Sequence, residues 1–182
     1  MLKDMEYFQK CPIGMAADII GDKWSLIILR DIAIFNRQTF SQILRENIEG
    51  ISSATLANKL KRLCDIGFLT FRDDKGHKQK KLYCLTEPAI DFVPVLFYLA
   101  SWTALHQEPN KDYVKLLRPF LDNEHGRIDI LLKGLHDIHI NHQPKEALWW
   151  AKMPDASNRP VSNNHSSGGH SSGGHSSGAL TR

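Results

Sequence analysis

The chain has 182 residues, 42% of them hydrophobic and 24% charged, with a formal net charge of only +3. That length holds one domain, or one with an appendage, and the composition is that of an ordinary soluble globule. Three cysteines, an odd number without a pairwise spacing motif, do not make a disulfide framework and point to a reducing cytoplasm. Met1 to Lys10 is polar and charged, unlike a secretory leader, and the longest uncharged apolar run, Phe92 to Leu105, is too short to span a bilayer. Neither export nor a membrane partner is therefore expected.

Residues 1–10 read as an N-terminal arm. Cys11-Pro12-Ile13 opens a first helix to about Ile20, because proline fits a first turn, and Gly21 ends it. Asp22 is a suitable N-cap for a second helix over Lys23 to Phe35, apolar nearly all round and therefore central. Asn36 suits the left-handed turn that follows. Thr39 caps a short third helix, with Phe40, Ile43 and Leu44 inward, and Glu49-Gly50 makes the next turn.

Ser52 caps a fourth helix from Ser53 to Ile66. Its inner stripe is Leu56, Leu60, Leu63 and Cys64, spaced i, i+4, i+7, i+8. The opposite side carries Ala54, Thr55, Asn58, Lys61, Arg62 and Asp65. Gly67 stops the helix. Phe68–Arg72 and Lys80–Leu85 alternate as strands, with Asp73 to Gly76 as the turn between them. A fifth helix runs from Glu87 to His106. It is apolar on too many sides for a lone surface helix and needs a second surface, which a second subunit would supply. Pro94 must sit in its first turn or kink it.

After the break at Pro109-Asn110, two amphipathic segments predict a helical hairpin. One carries Tyr113, Leu116, Leu117, Phe120 and Leu121; the other carries Ile128, Leu131, Leu132, Leu135 and Ile138, with a turn at Asn123 to Gly126. Order is expected to fade after Gln143. Residues 165–178 repeat His-Ser-Ser-Gly-Gly, which cannot build a core. The expected organisation is an arm over 1–10, a domain over 11–107, a helical extension over 108–143 and a flexible low-complexity tail over 144–182.

The charge is unevenly spread. Between Asn58 and Lys81 stand eight Lys/Arg against three acids, a local excess larger than the net charge of the molecule. Helices, a polar-faced helix, then a basic hairpin is the layout of a winged helix-turn-helix: mostly α, with a small β-hairpin wing. Such a helix enters a major groove while the wing holds flanking phosphates. Ser52, Ser53, Thr55 and Asn58 supply short polar groups near the helix start, and Asn58 can donate and accept at an adenine edge. Lys59, Lys61 and Arg62 supply cations for phosphates, as do Lys75, Lys78 and Lys80 on the wing. The alternative for each is a solvated surface side chain.

Several of these residues match a known family. Cys11-Pro-Ile, Asp18-Ile-Ile-Gly-Asp-Lys-Trp24-Ser-Leu-Ile-Ile-Leu-Arg30-Asp, Phe40-Ser, Gly50-Ile-Ser52, Leu56, Leu60-Lys-Arg-Leu63, Gly67 and Tyr83-Cys-Leu-Thr86 resemble the HxlR-type winged helix regulators, relatives of the MarR type. The match is colinear from residue 11 to about 105. It implies a cytoplasmic, dimeric bacterial regulator of transcription, most often a repressor, that binds double-stranded DNA and pairs through the first and post-wing helices. Asn36 stands where the family often has glycine, and Pro88-Ala89 where it often has a basic residue and glycine.

The resemblance also implies an alternative, a regulator gated by an oxidant or a small molecule through Cys11 or the dimer cavity. Cys11 lies where the amide dipoles of a helix start would stabilise a thiolate; the plainer reading is a half-buried small side chain. Cys64 and Cys84 read as core positions. A second alternative is a protein-interaction module that kept the fold without binding DNA. His136, His139 and His142 fall at i, i+3, i+6, but no carboxylate or cysteine completes a ligand set, so no metal and no cofactor are expected. Neither a nucleophile elbow, a phosphate loop nor a convincing acid pair is present, and an enzyme is not expected.

Overall fold

The computed structural model describes residues 11–74, 77–121, 126–144, 146 and 149–152. Helix α1 (Pro12–Ile20) carries Pro12 in its first turn and none of its residues is buried. Helix α2 (Lys23–Ala33) starts at Asp22, whose carboxylate accepts from the backbone N–H of Trp24 and Ser25 at 3.0 and 3.1 Å. It ends two residues before the expected Phe35, and Asn36 then adopts φ 53°. Ile28, Leu29, Ile32 and Ala33 put α2 at the centre of the core.

Helix α3 (Phe40–Glu46) begins with a reciprocal cap. The Thr39 hydroxyl accepts from the Gln42 N–H at 3.2 Å, and the Gln42 side chain accepts from the Thr39 N–H at 3.1 Å. Helix α4 (Ser53–Asp65) starts at Ser52, which accepts from the Thr55 N–H at 3.1 Å. Its end is a Schellman turn: the Gly67 N–H donates to Cys64 O at 3.0 Å and the Phe68 N–H to Leu63 O at 2.9 Å. Gly67 sits at φ 76°, which is why glycine is there.

Strands β1 (Leu69–Asp74) and β2 (His77–Leu85) form the antiparallel wing, with Leu69 opposite Leu85 and Phe71 opposite Tyr83. They run further than the expected 68–72 and 80–85. The register slips between Asp73 and Asp74, so that Asp74 still pairs, with His77. The Tyr83 N–H also donates to Gln38 O at 2.7 Å, which ties the wing to the segment before α3.

Helix α5 (Glu87–His106) has the expected limits. Pro88 occupies its first turn, and Pro94 lies inside the helix, so of the two placements open to it the first-turn one is excluded. The full 20-residue helix, unlike its uncharged core run, is long and apolar enough to cross a membrane. Here it buries Ala89, Ile90, Val93 and Phe97 and packs against α2, β2 and the helices that follow.

Helices α6 (Lys111–Leu121) and α7 (Arg127–His139) both pack on α5 and on each other, as a hairpin would. Most of its expected turn lies outside the described residues. Phe120, Leu131 and Leu135 join the same buried cluster as Ile28 and Leu56, so the extension shares the core of the winged domain.

The expectation that order fades after Gln143 is corrected at residues 149–152 alone; most of the chain beyond Gln143 lies outside the described residues. Residues Trp149–Lys152 form a 3-10 turn, and Trp150 is 2% exposed. Its Nε1–H donates to Ile34 O at 2.6 Å, and its ring meets Phe120 edge-on with centroids 5.2 Å apart. A pair of tryptophans without periodicity leaves no helix or strand signature, so this contact has no sign in the sequence pattern.

Candidate nucleic-acid interface

Helix α4 is held from beneath and bare on top. Leu56, Leu60 and Leu63 are buried, while Ser52, Ser53, Ala54, Asn58 and Lys61 are exposed. The Ser52 and Thr55 hydroxyls hydrogen-bond each other at 2.8 Å, so both belong to the cap that forms the helix start. Ser53 and Asn58 present short polar side chains outward. Lys61 also points outward, with its ammonium on Asp65 one turn along at 2.6 Å.

A charged cluster beneath the turn places this helix. Asp31, fully buried, accepts from Arg30 Nη2 at 2.7 Å and pairs with Arg37 Nη1 at 3.3 Å. Its second oxygen accepts from Asn47 Nδ2 at 3.4 Å, and Asn47 Oδ1 accepts from the Ile51 N–H at 3.2 Å, one residue before the cap. Arg30 also forks onto Glu49, with Nη2 to Oε2 at 3.0 Å. Burial disfavours the charge on Arg30, but bonds to Glu49 and Asp31 outweigh it and raise its pKa; the same guanidinium holds Glu49 below the usual carboxylate range. Sequence reading did not single out this network as positioning the site. Its only local signal was Arg30-Asp31 in an otherwise apolar helix.

Two expected phosphate ligands face elsewhere. Lys59 and Arg62, both partly buried, lie on the flank of α4 that meets the junction of α1 and α2. Lys59 Nζ contacts Asp22 Oδ1 at 2.9 Å. Arg62 donates from Nη1 to Ile19 O at 3.3 Å and from Nη2 to Asp18 O. Burial pushes the Asp22 carboxyl up, but hydrogen bonds from Ser25 and Lys59 together hold it below its ordinary value. Projection at 100° per residue had put Arg62 outward. A long side chain on the edge of a helix can reach a neighbouring helix end, which a projection does not contain.

On the wing, Lys80 is exposed; Lys75 and the side chain of Lys78 lie outside the described residues. The Lys81 ammonium sits 4.0 Å from the centre of the Phe71 ring. The wing is braced from behind: α7 packs on β2, and the Gln38 amide meets Nδ1 of the buried His139 at 3.4 Å. Burial pushes the His139 pKa down to about 3, so the ring is neutral. His136 pairs instead with Glu87 at 2.9 Å. The described residues hold no group of three or more His, Cys, Asp or Glu able to bind a metal.

Of the cysteines, Cys84 is buried and Cys64 partly so, and burial pushes both thiols up. Cys11 differs. It stands at the N-cap of α1 without a side-chain cap bond, and the nearby backbone N–H groups of Gly14 and Ile13 lower its pKa.

The profile of the HxlR-like helix-turn-helix family matches residues 19–111. Among curated proteins, the uncharacterized HTH-type transcriptional regulator Rv3095 of Mycobacterium tuberculosis is 30% identical over 95 residues, 52% of this chain and 58% of the relative. The uncharacterized HTH-type transcriptional regulator BH0655 of Halalkalibacterium halodurans is 29% identical over 99 residues, 54% of this chain and 87% of the relative. The chain thus spans a little over half the length of the mycobacterial relatives it matches. The solved structure of PA1607, a candidate transcription factor, is 26% identical with a TM-score of 0.50, over 56% of this chain and 69% of that one. The matched span runs from the end of α1 through α5 and contains the whole of the polar-faced helix and its wing. By that match this chain belongs to the HxlR-like helix-turn-helix family.

Proposed function

We propose that this protein is a sequence-specific, DNA-binding transcriptional regulator rather than an enzyme. It acts in the cytoplasm as a homodimer on a pseudo-palindromic operator, as a repressor that occludes its promoter. The observation that carries this reading is the exposed Ser53–Asn58–Lys61 face of α4, opposite three buried leucines and followed by a lysine-bearing wing. Dimerisation is supported by apolar side chains left in solvent on α1 and α5: Ile13 is 81% exposed, Tyr98 73% and Leu105 78%. Two copies paired through these helices would present two recognition helices to successive major grooves.

Mobility-shift titration of duplexes selected from a random pool tests the reading. Lys61→Ala is expected to weaken every duplex alike and to lower the salt dependence; Asn58→Ala is expected to relax base choice at one position per half-site. A chain that selects no duplex, or that sediments as a monomer, would overturn the proposal and favour a protein-interaction role.

One observation favours a gated version, the placement of the Cys11 thiol at the N-cap of α1, the expected dimer helix, beside first-turn N–H groups that favour its thiolate. Mild peroxide is then expected to release DNA from the wild type and not from Cys11→Ser. For a small-molecule effector, the monomer offers a cavity of about 270 Å³ lined by Arg30, Phe35, Ile48, Glu49, Tyr113 and Leu117.

A further inference from the structure

Lys59 and Arg62 stand one turn apart on α4 and grasp the corner between α1 and α2 from its two sides. Arg62 donates to the carbonyls of Asp18 and Ile19 in the last turn of α1. Carbonyls there have no following helical N–H to accept from, and a cation at a helix C-terminus meets the negative end of its dipole. The Gly21 N–H satisfies Ala17 O, one residue earlier, so Arg62 completes the end of this helix. Lys59 meets Asp22, the residue that caps α2 by accepting from Trp24 and Ser25. Helix α1 itself buries no residue and leaves Ile13 and Met15 in solvent. Ile20 packs on the edge of the core, and the bonds from Arg62 add a polar tie from α4 to this lightly anchored helix. Lys61, between them in sequence, points away to Asp65 and solvent.

From this geometry we infer that Lys59 and Arg62 are positioning residues for DNA recognition rather than phosphate ligands. Arg62 ties the recognition helix to the end of α1 and Lys59 ties it to the start of α2, so that the two recognition helices of a dimer are held at one separation and the protein accepts one half-site spacing. The inference rests on the proposal that α1 carries part of the dimer interface. A guanidinium engaged with two backbone carbonyls cannot also reach a phosphate without leaving them, and each phosphate ligand lost from DNA-bound protein reduces the salt slope by about one.

The test uses the full chain and duplexes that the wild type selects from a random pool, rebuilt with half-sites moved together or apart by one and two base pairs. Dissociation constants are measured at several salt concentrations for wild type, Arg62→Ala, Lys59→Ala and Lys61→Ala. The expected result for Arg62→Ala is a flattened spacing preference, at least severalfold between optimal and shifted operators, with the wild-type salt slope and unchanged binding to an isolated half-site. Lys61→Ala should do the reverse, lowering the slope and keeping the spacing preference. A lowered slope with intact spacing preference in Arg62→Ala would make it a phosphate ligand. An equal loss on every duplex, half-site included, would make it a folding residue. Either result overturns the inference.

A second measurement needs no DNA. Spin labels at Ser53→Cys, in a background with Cys11, Cys64 and Cys84 replaced by serine, report the distance between the two recognition helices. One narrow distribution is expected, broadened by Arg62→Ala; equal widths overturn the inference. A wild type that gives no intermolecular distance is a monomer, and then it is the dimer reading that fails first. A wild type that gives the narrow distance but selects no duplex leaves the lock standing and removes its purpose.

Discussion

Replacing Trp150 is the sharpest test of how far the folded unit extends beyond the winged domain. The indole is 2% exposed, stacks edge-on against Phe120 and donates to the Ile34 carbonyl at the end of the central helix. Truncating a buried tryptophan to alanine removes its transfer free energy and leaves a cavity, together about 3–5 kcal/mol. Trp150→Phe keeps most of the ring volume and removes the N–H, leaving the Ile34 carbonyl without that donor at about 1–3 kcal/mol. Domains of this kind are stable by roughly 5–15 kcal/mol, so the alanine variant gives up a large share. Urea unfolding followed by far-ultraviolet circular dichroism reads the difference. With a slope of about 2 kcal/mol per molar, the alanine midpoint should fall by about 2 M and the phenylalanine midpoint by about 1 M. A loss below about 1 kcal/mol in Trp150→Ala would place the indole outside the core. Equal losses in the two variants would refute the separation of ring packing from the hydrogen bond.

Gly134→Ala is a test of sign: alanine favours a helix interior by about 1 kcal/mol, but a Cβ at this position would come within 1.8 Å of the Trp149 ring. The expected outcome by thermal melting is a loss of about 1–3 kcal/mol in the wild type and a gain in the Trp149→Ala background. His139 predicts a pH dependence. Its folded pKa of about 3 lies below an unfolded value near 6.5, so the unfolded chain binds the extra proton between them. The stability held by the neutral ring is therefore complete above about pH 6.5 and is lost as pH falls toward 3, at up to about 1.4 kcal/mol per pH unit. Denaturant titrations from pH 7 to 4 should show that slope in wild type and a shallower one in His139→Leu; parallel curves would contradict it.

Local chemistry was legible in the sequence because it acts over a few residues. Proline at the start of α1, the caps at Asp22, Thr39 and Ser52, the leucine stripe of α4 and the glycine that ends it all operate within one or two turns, and each lies where its spacing indicates. The excess apolar surface of α5 was equally plain, since a helix with that many nonpolar sides must be covered on more than one of them. Direction and partnership were not legible. Whether Arg62 reaches outward or back to Asp18 and Ile19 depends on where α1 ends in space, 44 and 43 residues away in the chain. The same holds for His139, made neutral by burial beside Gln38, for Asp31, buried only because Arg30, Arg37 and Asn47 surround it, and for Trp150, which closes on Ile34. Periodicity and capping decided which segments would be helices or strands and which faces would be apolar. Only the packing of those segments decided which charges are ties and which remain available to a ligand, because a long side chain takes its role from what folds up opposite it.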